Sequence, residues 1–144
     1  MAASKKRVVV SLTVPQDLRE RLEREFELID LPVGGNIDDV VPVDMRNGIH
    51  GLLGTLRLKV DDALLTKYPG VEVVSNYAVG FDNIDVDAAT RHDVLVCNTP
   101  RVLDKAVADL TMGLVLCTMR DMVRAHNFVR EGKWMKGALP LSTD

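Results

Sequence analysis

The sequence lacks the glycine-rich signatures by which nucleotide sites are usually recognised. None of its 144 residues forms a GxGxxG or a GxxxxGK[ST] pattern, so neither a dinucleotide fingerprint nor a nucleoside triphosphate site is indicated. It has only two cysteines, Cys97 and Cys117, without the paired spacings of zinc or redox motifs. We expect both to be buried, reduced thiols, as in proteins of a reducing compartment.

Basic surface charge and long apolar runs are also missing. The net charge of −3 argues against a nucleic-acid partner or an anionic membrane surface, which would favour clustered Lys and Arg. The uncharged run at residues 110–119 has about half of the length that crosses a bilayer. The first residues show no cleavage site of a secretory signal. We therefore expect a cytoplasmic protein without nucleic-acid or membrane partners.

Residues for acid–base or metal chemistry are sparse. The three histidines, His50, His92 and His126, lie in contexts typical of structural or surface positions. No group of His, Cys, Asp and Glu has the spacing of metal ligands. The sequence therefore predicts neither a catalytic side chain nor a metal site.

What the sequence does contain is a regular alternation of short apolar runs and helical segments, which is typical of a parallel α/β sheet. A weak helix over 37–46 is interrupted by Pro42, and Asp61 and Asp85 can cap the helices at 62–68 and 86–91. A further helix is expected to begin after Pro15. The predicted strands are 7–14, 26–31, 48–54, 71–76 and 94–98.

The longest predicted helix covers residues 104–131 and ends at Gly132. Over 106–119 it is apolar nearly all round, and Asp109 is its only charged residue there. Because a surface helix is usually apolar along one stripe, we expect this one to be covered on several sides.

The loop "YAVGF", residues 77–81, follows the fourth predicted strand. Ligands of open parallel sheets lie beyond the carboxyl ends of the strands, where this loop is expected. The amides of Ala78, Val79 and Gly80 can point together at an oxyanion such as a carboxylate. A turn without a ligand is the alternative.

The segment from Val71 to Trp134 resembles the N-terminal half of the D-isomer-specific 2-hydroxyacid dehydrogenases. "NYAVGFDNID", "NTPRVL" and "VADL" carry the resemblance together. Within that family the segment is most similar to glyoxylate/hydroxypyruvate reductases, with plant hydroxyphenylpyruvate reductases close by. The resemblance implies reduction of a small 2-oxo acid, such as glyoxylate or hydroxypyruvate, with NADPH or NADH.

The same resemblance implies a flavodoxin-like substrate-binding domain at 1–103, a long helix at 104–132 that would cross to a missing Rossmann domain, and a truncated linker at 133–144. The amides of Val79 and Gly80 would bind the substrate carboxylate beside Ala78, Val79 would also lie near the nicotinamide, and Leu56 would lie by the substrate. The family is homodimeric, but its main dimer contacts have no counterpart in this sequence.

Departures from the family pattern limit what the chain is expected to do alone. The GxGxxG segment and the catalytic Arg, Glu and His have no counterpart, so whether this chain is an enzyme stays open. We expect an inactive N-terminal fragment; the alternative is a non-catalytic module that docks through helix 106–119. Asp93 lies where the family usually has Gly, and Arg101 lies where it usually has Gly or Asp. Asp104 lies where the family usually has Thr, which it can replace as a helix cap.

Overall fold

Five parallel strands form the sheet of the structure, a computed structural model that describes residues 5–139. Their order, β2-β1-β3-β4-β5, is the flavodoxin-like order and confirms the predicted fold class. The first strand ends at Val10, earlier than predicted, and the amide of Ser11 then donates to Leu53 O. The strands are β1 Lys6–Val10, β2 Phe26–Asp30, β3 Ile49–Gly54, β4 Val73–Asn76 and β5 Leu95–Cys97.

Helices α1 Gln16–Glu25, α2 Asp62–Lys67 and α3 Val86–Arg91 connect the strands. Both predicted caps are confirmed: Asp61 Oδ1 accepts from the Leu64 amide at 3.0 Å, and Asp85 Oδ1 accepts from the Ala88 amide at 2.8 Å. The weak helix around Pro42 is replaced by two 3₁₀ helices, Ile37–Asp39 and Val43–Gly48, because proline lacks an amide hydrogen and cannot continue a helix.

The core packs on one face of this sheet. Alternate strand residues face the helices, since successive side chains of a strand point to opposite faces. Val9, Leu52 and Val74 are at most 2% exposed there. The side chains packed against them come from the connecting helices and 3₁₀ segments, and include Ile37, Val41, Leu65, Tyr68, Ala88 and Ala89.

The chain divides into two compact units, residues 1–101 and 102–144. The second unit contains α4 Asp104–Met119, α5 Met122–Arg130 and a 3₁₀ helix Lys133–Lys136. The prediction of one continuous helix over 104–131 is wrong, because Asp121 adopts a left-handed conformation (φ 55°) that ends α4. Gly132 is left-handed as well, which matches its predicted place after the last helical turn.

The predicted helix cap in this part of the chain is corrected. Asp104 is the first residue of α4 rather than its cap; Leu103 precedes the helix, and no side chain caps it. The linker predicted at 133–144 begins with a 3₁₀ helix, and its residues 140–144 lie outside the described residues. No helix within residues 5–139 is long and apolar enough to cross a membrane.

The cysteines were expected to be buried, and both expectations are wrong. Cys97 is exposed because β5 forms the edge of the sheet, and Cys117 on α4 is half-buried. Both are free thiols. Asp93 and Arg101 differ from the residues usual in the family, which include glycine at both positions. Both have a positive φ, 55° and 64°, which glycine adopts at the least cost.

Candidate functional site

Two loops at the carboxyl edge of the sheet contain all four residues for which the sequence predicts a substrate role. Leu56 lies in the loop after β3, and Ala78, Val79 and Gly80 lie in the loop after β4. A Cβ atom placed on Gly80 would be 3.5 Å from Leu56 Cδ2, so the Leu56 side chain lies directly beside the glycine. The structure brings the predicted residues together, and their role in binding stays a prediction.

Three consecutive carbonyl groups of the second loop accept hydrogen bonds. Ala78 O accepts from the Thr99 amide at 2.9 Å, and Val79 O accepts from Asn98 Nδ2 at 2.8 Å. Gly80 O accepts from Asn76 Nδ2 at 2.8 Å. In a trans peptide the N–H points away from the preceding C=O. Fixing the carbonyls of residues 78 and 79 therefore fixes the direction of the N–H groups of residues 79 and 80.

Those two N–H groups are available to a ligand. Neither the Val79 nor the Gly80 amide donates to any acceptor among residues 5–139. Val79 is 38% exposed, and Gly80 is half-buried. Successive backbone N–H groups in a turn can together bind an anion. Because the loop also borders the Leu56 side chain, the arrangement suits a small acid whose carboxylate faces the amides.

A pair of asparagines joins the two loops. Asn76, only 2% exposed, donates from Nδ2 to Asn83 Oδ1 at 3.0 Å as well as to Gly80 O. Asn83 Nδ2 in turn donates to Leu58 O at 2.6 Å in the loop after β3. Buried amide groups are costly unless bonded, so this satisfied pair holds the loops in one arrangement.

Charged groups surround the loops unevenly. Asp82 Oδ2 would lie 3.6 Å from a Cβ atom on Gly80, so a carboxylate stands close to the free amides. Arg57, exposed and next to Leu56 in the chain, forms no ion pair within the part of the chain that the structure describes. Lys59 Nζ is 2.9 Å from Asp61 Oδ2; that hydrogen bond, followed by the one from the Leu64 amide, lowers the pKa of Asp61.

The three histidines lie outside these two loops. His50 Nδ1 accepts from the Arg7 amide at 3.2 Å within the sheet, and His92 Nε2 is 3.2 Å from Asp62 Oδ1. His126 belongs to α5. Within residues 5–139, no three His, Cys, Asp or Glu side chains are grouped so as to hold a metal ion. The histidines therefore belong to other elements than the two loops that contain the predicted substrate-binding residues.

A separate groove of about 330 Å³ lies on a face of the sheet. Its walls include Val8 of β1, Leu22 of α1 and Val73 of β4. None of Leu56, Ala78, Val79 and Gly80 lines it. The groove is therefore distinct from the carboxyl-edge loops.

The sequence did not predict a role for the three asparagines that shape the loop, Asn76, Asn83 and Asn98. A signal existed, because Asn76 ends β4 and Asn98 directly follows β5. Asparagine at such positions commonly bonds nearby backbone groups. Which carbonyl each side chain would reach depends on the pairing of β4 with β5 and could not be read from the sequence.

Comparison with known proteins gives one family. The model of the D-isomer specific 2-hydroxyacid dehydrogenase catalytic domain matches residues 8–142. The glyoxylate/hydroxypyruvate reductase B of Serratia proteamaculans is 39% identical over 130 residues, which cover 88% of this chain and 39% of that protein. The glyoxylate reductase of Pyrococcus furiosus is 35% identical over 132 residues, which cover 92% of this chain and 39% of that protein.

Solved structures show the same likeness. The NADPH-dependent glyoxylate/hydroxypyruvate reductase of Sinorhizobium meliloti, in complex with NADP and malonate, superposes with a TM-score of 0.73 at 34% identity. The match covers 97% of this chain and 43% of that chain. This chain thus spans about two fifths of the length of the curated relatives it matches.

Proposed function

Because the chain belongs to the D-isomer-specific 2-hydroxyacid dehydrogenase family, we propose that it supplies the carboxylate-binding side of an NAD(P)H-dependent reductase of small 2-oxo acids in the cytoplasm. The names of its relatives favour glyoxylate or hydroxypyruvate as the substrate. One observation carries the proposal: the Val79 and Gly80 amides donate to no acceptor among residues 5–139, and Gly80 lies beside Leu56.

In this proposal the substrate carboxylate accepts hydrogen bonds from the Val79 and Gly80 N–H groups. Hydrogen bonds to an ionised acceptor are roughly twice as strong as neutral ones. They also cost little reorganisation here, because bound carbonyls already hold both peptide planes. Leu56 places an apolar wall against the rest of the acid and excludes water from that side.

Val79 is the residue assigned to the cofactor. Its side chain is partly exposed at the loop and offers an apolar surface to one face of a nicotinamide ring. The 144 residues contain no glycine-rich turn for a pyrophosphate, so they fit a contact with the ring and not the rest of the dinucleotide. NADPH or NADH, when bound by the complete site, supplies the hydride. We propose that this chain alone binds neither tightly.

The proposal predicts that the purified 144-residue chain binds the acid but does not reduce it. NADPH and NADH consumption with glyoxylate or hydroxypyruvate should stay at the rate without protein. Titration of the ¹⁵N-labelled chain with glyoxylate should shift the amide signals of Val79 and Gly80. Clear turnover would refute the assignment as an inactive part, and unchanged amide signals would refute the carboxylate site.

A chimera tests the proposed activity of the whole family member. The corresponding N-terminal segment of the Serratia reductase is exchanged for this chain, and glyoxylate reduction is measured with a Gly80→Trp chimera as the control. We expect the first chimera to reduce glyoxylate and the second to fail. A folded first chimera that binds NADPH but does not reduce any 2-oxo acid would contradict the proposal.

A second candidate function rests on α4. Many apolar side chains of this helix are exposed, and none of its residues is buried. A continuous apolar surface of this kind is typical of a docking site. The non-catalytic alternative is that residues 106–119 dock on another subunit of the same family. The large exposed apolar side chains of α4 are Val107, Leu110, Met112, Leu114, Val115, Leu116 and Met119.

Sedimentation of the purified chain separates this alternative from the first proposal. Docking predicts self-association or co-sedimentation with a family member, and a Leu110→Glu/Leu114→Glu double variant should abolish it. An Asp109→Glu variant on the same helix serves as the control. A chain that stays monomeric at high concentration and does not co-sediment with a family member would contradict docking.

A further inference from the structure

We propose that Asn98 is a positioning residue for carboxylate binding, because its side-chain amide sets the direction in which the Gly80 N–H points. The inference rests on the proposed function of the loop after β4 and adds a residue outside that loop. Asn98 itself does not touch the acid in this proposal. It acts through the peptide bond between Val79 and Gly80.

The geometry of that peptide bond carries the argument. Asn98 Nδ2 donates to Val79 O at 2.8 Å. The peptide unit is planar and trans, so its C=O and N–H point in opposite directions. When Asn98 holds the carbonyl of Val79 towards β5, the N–H of Gly80 must point away from β5. One side-chain hydrogen bond thereby orients a donor that no other group among the described residues uses.

Asn98 can serve this purpose because it is anchored to the sheet. It directly follows β5, which pairs with β4 through Val74 with Val96 and Ser75 with Cys97. The next residue, Thr99, donates its own amide to Ala78 O at 2.9 Å. Residues 98 and 99 therefore hold two successive carbonyls of the loop from one rigid strand end, and they orient the Val79 and Gly80 N–H groups as a pair.

Of the two contacts, the hydrogen bond from the Asn98 side chain depends more on the identity of its residue. The Thr99 amide is part of the backbone and is kept by any residue except proline. The bond to Val79 O needs an amide or another donor at residue 98. Glycine at residue 80 gives its peptide unit more freedom than another residue would. Without the Asn98 donor, the unit between Val79 and Gly80 can rotate, and the two N–H groups no longer converge on one carboxylate.

An Asn98→Leu variant tests the proposal on the full 144-residue chain. Leucine has nearly the shape of asparagine, lacks the donor, and adds no charge that would repel an acid. Asn47→Leu is the matched control, because Asn47 is exposed and its side chain makes no hydrogen bond within residues 5–139. Asn98→Ala is a second, smaller replacement, and Asn98→Gln keeps a donor for rescue.

Two measurements are made on each ¹⁵N-labelled protein. The first is the Gly80 amide signal and its hydrogen-exchange rate without ligand. The second is the dissociation constant for glyoxylate, from shifts of the Val79 and Gly80 signals. Exchange protection of the Val74 and Leu95 amides reports whether the pairing of β4 with β5 survives, since the Leu95 amide donates to Glu72 O at 2.9 Å.

We expect Asn98→Leu and Asn98→Ala to displace the Gly80 signal and to weaken glyoxylate binding about tenfold, the effect of losing one well-placed hydrogen bond. Asn98→Gln should recover part of the affinity, and Asn47→Leu should match the unmodified chain. Protection of Val74 and Leu95 should stay unchanged, which a purely structural role would not allow.

Other results would overturn the proposal. Unchanged Gly80 signals and glyoxylate affinity in both Asn98 variants would show that the side chain does not orient the loop. Weaker binding accompanied by lost protection of Val74 and Leu95 would show a structural role instead. If the unmodified chain does not bind glyoxylate, the proposed function fails; the ligand-free Gly80 signal then still decides whether Asn98 orients the peptide bond.

Discussion

Replacing Gly80 by alanine separates the binding role of the loop from its role in folding. The new Cβ atom would lie 3.5 Å from Leu56 Cδ2 and 3.6 Å from Asp82 Oδ2, both ordinary contact distances. Gly80 also has no positive φ that would strain another residue. The fold should therefore accept alanine, while the added methyl group occupies the space between the free amides and Leu56.

Gly80→Ala should raise the stability of the fold and lower the affinity for glyoxylate. Alanine restricts the unfolded chain more than glycine does, so the free energy of unfolding should rise by about 0.4–1 kcal/mol. Binding of glyoxylate should weaken at least tenfold, or by about 1.4 kcal/mol, because the methyl group competes with the acid for the same space. Greater stability together with weaker binding is the signature of this site.

Urea denaturation gives the change in stability, and amide shifts during a glyoxylate titration give the change in affinity. Gly70→Ala is the opposite case, because a Cβ atom there would lie 2.3 Å from Asn47 O. Its backbone must move, and we expect a loss of about 3 kcal/mol or more. Unchanged affinity in a stable Gly80→Ala variant would refute the idea that the acid lies between residue 80 and Leu56.

Three further predictions follow from charges and backbone conformation. Asp82→Asn should raise glyoxylate affinity about threefold in a salt-dependent way, since it removes a negative charge beside the proposed carboxylate site; unchanged affinity at low salt would contradict it. A hydrogen bond from Lys67 is the main cause that lowers the pKa of Asp38. The Asp38 carboxylate therefore contributes its full stabilisation above about pH 4, and this stabilisation is lost as the pH falls through the lowered pKa of the folded state. Urea midpoints should therefore drop less steeply in acid for Asp38→Asn than for the unmodified chain. Arg101→Gly should raise Tm and add about 1 kcal/mol of stability because φ at residue 101 is 64°; a lower Tm would show that the arginine side chain stabilises the turn.

Local sequence signals predicted most of the sheet and its connections. The five apolar runs became five parallel strands because each is short and alternates along the chain with helical or turn segments. The caps at Asp61 and Asp85 were predictable because a capping oxygen bonds an amide only three residues ahead. Interactions over such short distances depend little on the rest of the chain.

The errors fall where no local signal exists. The residues around Asp121 include neither glycine nor proline, so nothing in the sequence marked the end of α4 there. Cys97 was expected inside because it belongs to an apolar run, yet β5 is the edge of the sheet and leaves it exposed. Strand order is a property of the assembled sheet, and apolar composition cannot distinguish an edge strand from a central one.

The sequence by itself determined the α/β alternation and the family, and it predicted the loop around Gly80 as a place for an acid. Only the tertiary structure decided how that loop is held. Asn98 and Val79 are 19 residues apart, and Asn83 and Leu58 are 25 apart, yet each pair is joined by a hydrogen bond. Such bonds exist only when parallel strands bring their carboxyl ends to one edge. The direction of the Gly80 N–H is therefore set by a side chain that the sequence places one strand away.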